Sequence, residues 1–192
     1  PDIWVYADEI YSRLVYDGAF ASLAAIPGMQ ERTIICDGAS KTWAMTGWRL
    51  GWAAGEKRFI TALTRVKSYV DTGPWLAVQQ AGAFALDHAE RLIAPNVAEL
   101  QARRDAGVGA LREAGFELES PVATMYLWVP LPGGVPSAEF SRRALEEAGV
   151  VILPGSAFGP GGEGFFRIAL TVGGPRLREG ILRLRAVLAR AD

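Results

Sequence analysis

Three short β-rich runs constrain the fold of the first half of this 192-residue chain more than any other feature. They occupy residues 3–7, 33–37 and 50–54, and segments with helical periodicity follow them. Runs of this length, bounded by loops, are typical of strands that are buried in a largely parallel sheet. The sequence therefore predicts an α/β fold for this half of the chain.

Two segments after the third run have the apolar spacing of helices. Residues 56–70 place Phe59, Ile60 and Leu63 at helical intervals, and residues 75–93 continue after a break at Thr72-Gly73-Pro74. We expect both helices to cover the sheet or to link domains. Asn96 is then expected to cap a further helix that runs to Gly115.

The second half of the chain has a different pattern of elements. In order, it predicts strands at 116–119 and 125–131, a helix opened by Pro136-Ser137, strands at 150–153 and 165–170, and a helix from about Pro175. This order is typical of a compact α+β unit. We expect a large domain over residues 1–95 and a smaller one, with its linking helix, over residues 96–192.

Charge and composition exclude several classes of function. The 20 Lys and Arg residues balance 21 Asp and Glu residues, and the pI is near 6.0, so no net field attracts nucleic acid or an anionic membrane. No run approaches the roughly 20 apolar residues that span a bilayer. One cysteine, Cys36, and one histidine, His88, leave neither an internal disulfide nor a Cys/His metal site. The expected partner is a small molecule or another subunit, in a reducing cytoplasm.

Two motifs with reactive side chains follow the first two predicted strands. Asp8-Glu9-Ile10-Tyr11 comes directly after the first run, and the segment Ser40–Arg49, which contains Lys41, comes after the second. Open α/β sheets bind ligands at the carboxyl ends of their strands. A carboxylate, a phenol, an amine and a guanidinium, in this order, can hold the ring nitrogen, ring oxygen, aldehyde and phosphate of pyridoxal 5'-phosphate.

The second motif resembles the cofactor-attachment signature of the class I/II aminotransferases, which have fold type I. The matching residues are Ser40-Lys41-Thr42 and Thr46-Gly47-Trp48-Arg49-Leu50-Gly51. The resemblance implies the C-terminal part of such a protein, with a mostly parallel sheet of the large domain and a smaller α+β domain. In the family, roughly as much chain again lies upstream, and Pro1 directly before a strand-like run predicts a fragment. Relatives with this fold are typically homodimers.

The resemblance also implies a role for five residues. Lys41 would form the Schiff base with the cofactor and shuttle the proton, Asp8 would face the pyridine nitrogen, and Tyr11 would donate to the ring oxygen. Arg49 would bind the cofactor phosphate, and Arg167 would bind the α-carboxylate of the substrate. Taken alone, a lysine is usually a solvated surface residue, and either arginine could be structural, Arg49 in an ion pair and Arg167 reaching from a strand edge to water.

Arg167 stands in a run, residues 164–170, that the family loop Leu153–Gly159 precedes. Between them, Gly159–Gly164 satisfies the dinucleotide-binding pattern G-x-G-x-x-G. That fingerprint must follow a strand and open a helix, whereas this run contains Pro160 and leads into a predicted strand. We therefore interpret it as a glycine turn beside the carboxylate site.

The function implied by the resemblance is transamination between an amino acid and a 2-oxo acid, 2-oxoglutarate being the expected acceptor. Two alternatives remain open: β-elimination, such as carbon–sulfur lysis, and a non-catalytic regulatory module. One departure from the family is Gly38, where many relatives have a phosphate-binding serine. The run Asp71–Pro74 resembles a segment of relatives that act on diaminopimelate-like or other dicarboxylic substrates.

Overall fold

The structure is a computed structural model that describes residues 3–189. It divides the chain into two compact units, Pro1–Val97 and Ala98–Asp192, and each contains a three-stranded sheet with helices. The α/β class is confirmed. The domain limits given above, 1–95 and 96–192, stay a prediction.

The sheet of the first unit combines a parallel and an antiparallel pair. Strands β1 (Val5–Asp8), β2 (Thr33–Gly38) and β3 (Gly51–Gly55) lie in the order β1-β2-β3. β1 runs parallel to β2, with Asp8 opposite Cys36, whereas β2 and β3 are antiparallel. β3 thus departs from the expected parallel order. A parallel neighbour needs a long crossover that carries the chain back to the start of β2, and the connection between β2 and β3 contains only short helical turns.

Four α-helices begin in the described part of the first unit. They are α1 (Ala39–Thr42), α2 (Lys57–Val70), α3 (Leu76–Asp87) and α4 (Ala89–Glu113). α2 contacts β3, although none of its residues is buried, and the expectation that it covers the sheet or links domains stays a prediction. The expectation that Asn96 begins a helix is wrong. α4 is continuous from Ala89, with Pro95 inside it. No helix in the described range 3–189 is long and apolar enough to cross a membrane.

The sheet of the second unit is antiparallel. Strands β4 (Tyr126–Pro130), β5 (Leu153–Pro154) and β6 (Phe165–Ala169) lie in the order β4-β6-β5, and helices α5 (Ser137–Ala148) and α6 (Gly174–Leu188) complete the unit.

The strand expected at 116–119 is wrong, since the structure assigns no strand there. Phe116 is instead buried, and its ring packs edge-on against Phe140 at 6.0 Å and Phe166 at 5.3 Å between centroids. The segment is therefore held by a side chain in the core rather than by backbone pairing.

The two faces of this second sheet differ in chemistry, because side chains alternate along each strand. One face is buried and apolar, with Leu127 and Val129 from β4 and Phe166 and Ile168 from β6. The other face is less buried and carries a cluster of aromatic rings around a single guanidinium. Its residues in β4 and β6 are Tyr126, Trp128, Pro130, Phe165, Arg167 and Ala169.

Candidate functional site

Asp8 and Lys41 lie at the same edge of the first sheet. Asp8 is the last residue of β1, and Lys41 lies in α1, which begins directly after β2 ends at Gly38. Because β1 and β2 are parallel neighbours, their carboxyl ends share one edge. Asp8 is exposed and Lys41 is half-buried. The geometry therefore brings a carboxylate and an amine to the position where such sheets bind ligands.

Tyr11 follows β1 in a short turn that Asp8 helps to form. The backbone N–H of Ile10 donates to Oδ1 of Asp8 at 3.3 Å, and the N–H of Leu14 donates to the carbonyl of Tyr11 at 2.9 Å. The side chain of Asp8 thus acts as an Asx turn, which fixes the direction in which the chain leaves the strand.

Asp37 is a carboxylate beside the site that the sequence did not single out. Burial raises the pKa of its carboxyl above the usual value, although the N–H of Gly38 and the hydroxyl of Ser12 oppose this shift. The Gly38 N–H lies 2.6 Å from Oδ1, and the Ser12 hydroxyl lies 3.5 Å from Oδ2. Asp37 therefore connects the end of β2 with the turn that carries Tyr11.

The backbone around Lys41 contains two residues in an unfavourable conformation. Ala44 and Arg49 have positive φ angles of 56° and 54°, and the described chain has one other such non-glycine residue, Thr124. Left-handed backbone at a residue with a Cβ is strained, and strain of this kind is concentrated at functional sites. Arg49 is exposed, and its Nη1 donates to the carbonyl of Thr46 at 3.0 Å.

The close packing of backbone explains the glycine at position 38. A Cβ there would lie 3.0 Å from the carbonyl oxygen of Leu50 and 3.2 Å from Cδ1 of Ile10. Both contacts are tight, and the first is to backbone, which cannot rotate away. A serine at this position would require a shift between the end of β2 and the segment before β3.

Arg167 belongs to the second unit, where two aromatic rings enclose its guanidinium. Its Cζ lies 4.3 Å from the ring centroid of Tyr126 and 4.4 Å from that of Phe158. These are favourable cation–π distances. Within residues 3–189, no group accepts a hydrogen bond from this guanidinium or pairs with it as an ion. With no partner among these residues, its N–H groups remain available for a planar anion such as a carboxylate.

The loop before β6 folds back on itself through glycine contacts. A Cβ on Gly155 would lie only 1.9 Å from the carbonyl oxygen of Gly162, so only glycine permits this approach. The G-x-G-x-x-G run forms a 3-10 turn at Pro160–Gly162 and leads into β6, as expected. It does not open a helix, and it therefore lacks the dinucleotide-binding geometry.

Glu163 fastens this loop to the start of α5. Its Oε1 accepts from the N–H of Ser137 at 2.7 Å and from the N–H of Gly164 at 3.1 Å, and its Oε2 accepts from the Ser137 hydroxyl at 3.1 Å. The Ser137 and Ser156 hydroxyls are hydrogen-bonded at 2.9 Å. Glu163 thus caps a helix that has no capping side chain of its own.

These contacts predict a pH-dependent stability of the second unit. The N–H of Ser137, and then that of Gly164, lower the pKa of Glu163, so folding favours the ionised carboxylate. The contribution of the ionised Glu163 to the free energy of unfolding is present above the ordinary carboxyl pKa and is lost as the pH falls through the lowered pKa.

We expect Glu163→Gln to lower the thermal midpoint near neutral pH and to have little effect at about pH 3. Thermal unfolding as a function of pH measures this difference. Glu119→Gln, at an exposed carboxylate, is the control, and an equal destabilisation by Glu163→Gln at every pH would contradict the assignment.

Two further contacts were not anticipated from the sequence. Asn96 donates from Nδ2 to the carbonyls of Lys41 at 3.0 Å and Thr42 at 3.1 Å. The sequence predicts a helix start at Asn96, because asparagine is among the residues preferred at helix N-caps. The ring of Phe158 against Arg167 could be found only as part of the matched family loop, which gives no indication of contact.

Comparison with known proteins identifies the family. The family model for aminotransferase class I and II matches residues 2–183. The LL-diaminopimelate aminotransferase of Moorella thermoacetica is 45% identical over 192 residues, which are 100% of this chain and 49% of that protein. The corresponding protein of Gloeobacter violaceus is 43% identical over 195 residues, again covering 49% of its length. The chain thus spans about half the length of the curated relatives that it matches.

Solved structures agree with this result. An aromatic aminotransferase from Pyrococcus horikoshii superposes with a TM-score of 0.92 and 36% identity, over 98% of this chain and 52% of that one. A probable N-succinyldiaminopimelate aminotransferase from Thermus thermophilus gives a TM-score of 0.89 and 36% identity, over 97% of this chain and 50% of that one. The expected resemblance is therefore confirmed, and the chain belongs to the aminotransferase class I and II family.

Proposed function

We propose that this chain carries the cofactor-attaching part of an aminotransferase that moves an amino group from an LL-diaminopimelate-like amino acid to a 2-oxo acid. The observation that carries the proposal is the position of Asp8 and Lys41 at the carboxyl ends of two adjacent parallel strands. The relatives named LL-diaminopimelate aminotransferase support the donor. The acceptor that we propose is 2-oxoglutarate.

The side chains at this edge fit pyridoxal 5'-phosphate, on which this family depends. Among described residues, no group forms a hydrogen bond or ion pair with the Lys41 amine, so it is available to attach to an aldehyde. Asp8 keeps an exposed carboxylate, and the exposed guanidinium of Arg49 donates from Nη1 to the carbonyl of Thr46 on its own turn. When bound, the cofactor supplies an electron-accepting ring.

Each side chain then has a separate task. Asp8 holds a proton on the pyridine nitrogen, Tyr11 donates a hydrogen bond to the ring oxygen, and Arg49 binds the phosphate with its planar fork. Lys41 would hold the cofactor through its aldehyde, and its amine, when free, would accept the proton that leaves the substrate α-carbon. These tasks use groups of the first unit only.

Arg167 binds the α-carboxylate of the substrate in this proposal. Its unpaired N–H groups and the two flanking rings support that role, because a rigid guanidinium loses little freedom when it forms a bidentate pair.

We also propose that the protein acts as a homodimer in the cytoplasm. The exposed apolar side chains of α2 support association, with Val66 63% and Tyr69 86% exposed. Exposed apolar patches of this kind mark interaction surfaces.

Activity can be tested in a chimera in which this chain replaces the corresponding half of the Moorella thermoacetica relative. The chimera, loaded with pyridoxal phosphate, is offered LL-diaminopimelate and 2-oxoglutarate. We expect glutamate to form with every equivalent of donor consumed. Ammonia release without glutamate would contradict transamination and favour β-elimination. The unmodified relative serves as the control for the assay.

A further inference from the structure

The turn that carries Lys41 is too short to satisfy its own backbone. α1 contains only four residues, Ala39–Thr42, and the last four carbonyls of any helix have no partner within it. All of the carbonyls of α1 therefore need partners outside a regular helix. The left-handed residue Ala44, with φ 56°, prevents the helix from continuing.

The partners of these four carbonyls are known. The carbonyl of Ala39 accepts two long backbone bonds, from the N–H of Trp43 at 3.3 Å and of Met45 at 3.4 Å. The carbonyl of Ser40 accepts from the hydroxyl of Thr46 at 3.1 Å. The remaining two, at Lys41 and Thr42, are satisfied from far along the chain.

Asn96 supplies both of these bonds from one amide group. Its Nδ2 donates to the carbonyl of Lys41 at 3.0 Å and to that of Thr42 at 3.1 Å. It is half-buried, is the single asparagine of the chain, and projects from α4, a helix of 25 residues. The preceding Pro95 lies inside that helix, where proline removes a backbone bond and bends the axis.

We propose that Asn96 is a positioning residue for Lys41. It connects the carbonyls of the Lys41 turn to a long helix and so fixes the backbone from which the amine projects. Glutamine, serine or alanine at this position would not reach both carbonyls with the same short amide. The role of Lys41 itself rests on the proposed function, whereas the effect of Asn96 on the turn does not.

The decisive variant is Asn96→Asp, because aspartate has the same shape but an ionised carboxylate cannot donate to carbonyls. Gln79→Glu is the matched control. Gln79 also donates a side-chain amide to a backbone carbonyl in the first unit, that of Pro74 at 2.6 Å, but it does not contact the Lys41 turn. Both variants are compared with the unmodified 192-residue chain. Each protein is measured at a temperature equally far below its own thermal midpoint.

The first measurement is amide hydrogen exchange in the absence of cofactor. We expect Asn96→Asp to speed exchange at Trp43 and Met45 about tenfold, the size expected when two neutral hydrogen bonds are lost. Exchange in β2 (Thr33–Gly38) and in the Gln79→Glu variant should not change. Exchange at Trp43 and Met45 within about twofold of the unmodified chain would overturn the proposal.

The second measurement uses the three lysines of the chain, Lys41, Lys57 and Lys67, as internal competitors. Each protein is incubated with pyridoxal phosphate at limiting concentration, reduced with borohydride and mapped by peptide mass. We expect the preference for Lys41 over the other two to fall about tenfold in Asn96→Asp and to persist in Gln79→Glu. Because each protein is measured equally far below its thermal midpoint, a global loss of stability would not produce this change in preference.

The two measurements separate the two proposals. If the unmodified chain shows no preference for Lys41, the proposed function fails, and hydrogen exchange still decides the role of Asn96. If the unmodified chain prefers Lys41 and Asn96→Asp retains that preference, the positioning role is overturned while the proposed function stands.

Discussion

Replacing Lys41 with alanine is expected to reduce transamination by the chimera at least about 10³-fold, since one side chain both attaches the cofactor and moves the substrate proton. The effect should appear in kcat, because proton transfer occurs after the substrate has bound. Steady-state formation of glutamate from 2-oxoglutarate measures it. Lys41→Arg should be equally inactive, because a guanidinium stays protonated near neutral pH and is therefore neither a nucleophile nor a base.

The matched control is Lys57→Ala. Lys57 is exposed and begins α2, outside the edge formed by β1 and β2. We expect its replacement to leave kcat within about twofold, since surface substitutions away from special features have small effects. If Lys41→Ala retained a tenth of the activity or more, Lys41 would not be the residue that transfers the proton.

Replacing Arg167 with lysine is expected to raise the KM of the chimera for the amino donor by about 10- to 100-fold, which corresponds to the loss of charge-assisted, bidentate hydrogen bonds. Lysine keeps the charge but lacks the planar fork and the stacking between Tyr126 and Phe158. The KM for the 2-oxo acid should rise as well, since both substrates present an α-carboxylate.

The flanking rings allow a finer test of the same residue. Phe158→Leu removes one cation–π contact, at 4.4 Å, and keeps Arg167 itself. We expect a smaller rise in KM, about 3- to 10-fold. The control is Arg185→Lys, at an exposed position on α6, which should leave KM unchanged. A normal KM in Arg167→Lys would show that another group binds the carboxylate.

The positions of the strands and the main motifs could be predicted from the sequence because their signals are local. Residues 33–37 were expected as a strand and form β2, and the helix expected after Pro136-Ser137 is α5. Asp8 and Lys41 could be expected at one edge, since each stands close to the carboxyl end of its strand. Such arguments need only periodicity and the geometry of parallel strands.

The contacts that join distant segments could not be predicted in this way. Asn96 lies 55 residues from Lys41, and its pattern fits both a helix cap and a residue within a helix. Phe116 packs its ring in the core where a strand was expected, and a short apolar run does not distinguish these two arrangements. The antiparallel direction of β3 depends on the short connection that precedes it. The turns of that connection have no periodic spacing of apolar residues, so the direction of the strand could not be predicted.

The central claim is that Lys41 is the residue to which pyridoxal phosphate attaches. Its most direct test is reduction of the cofactor-loaded chimera with borohydride, followed by peptide mapping of the three lysines of this chain, Lys41, Lys57 and Lys67. We expect one pyridoxyl group per chain, located on Lys41 and absent from the Lys41→Ala variant. A pyridoxyl group located on Lys57 or Lys67, or no stable adduct at all, would contradict the account.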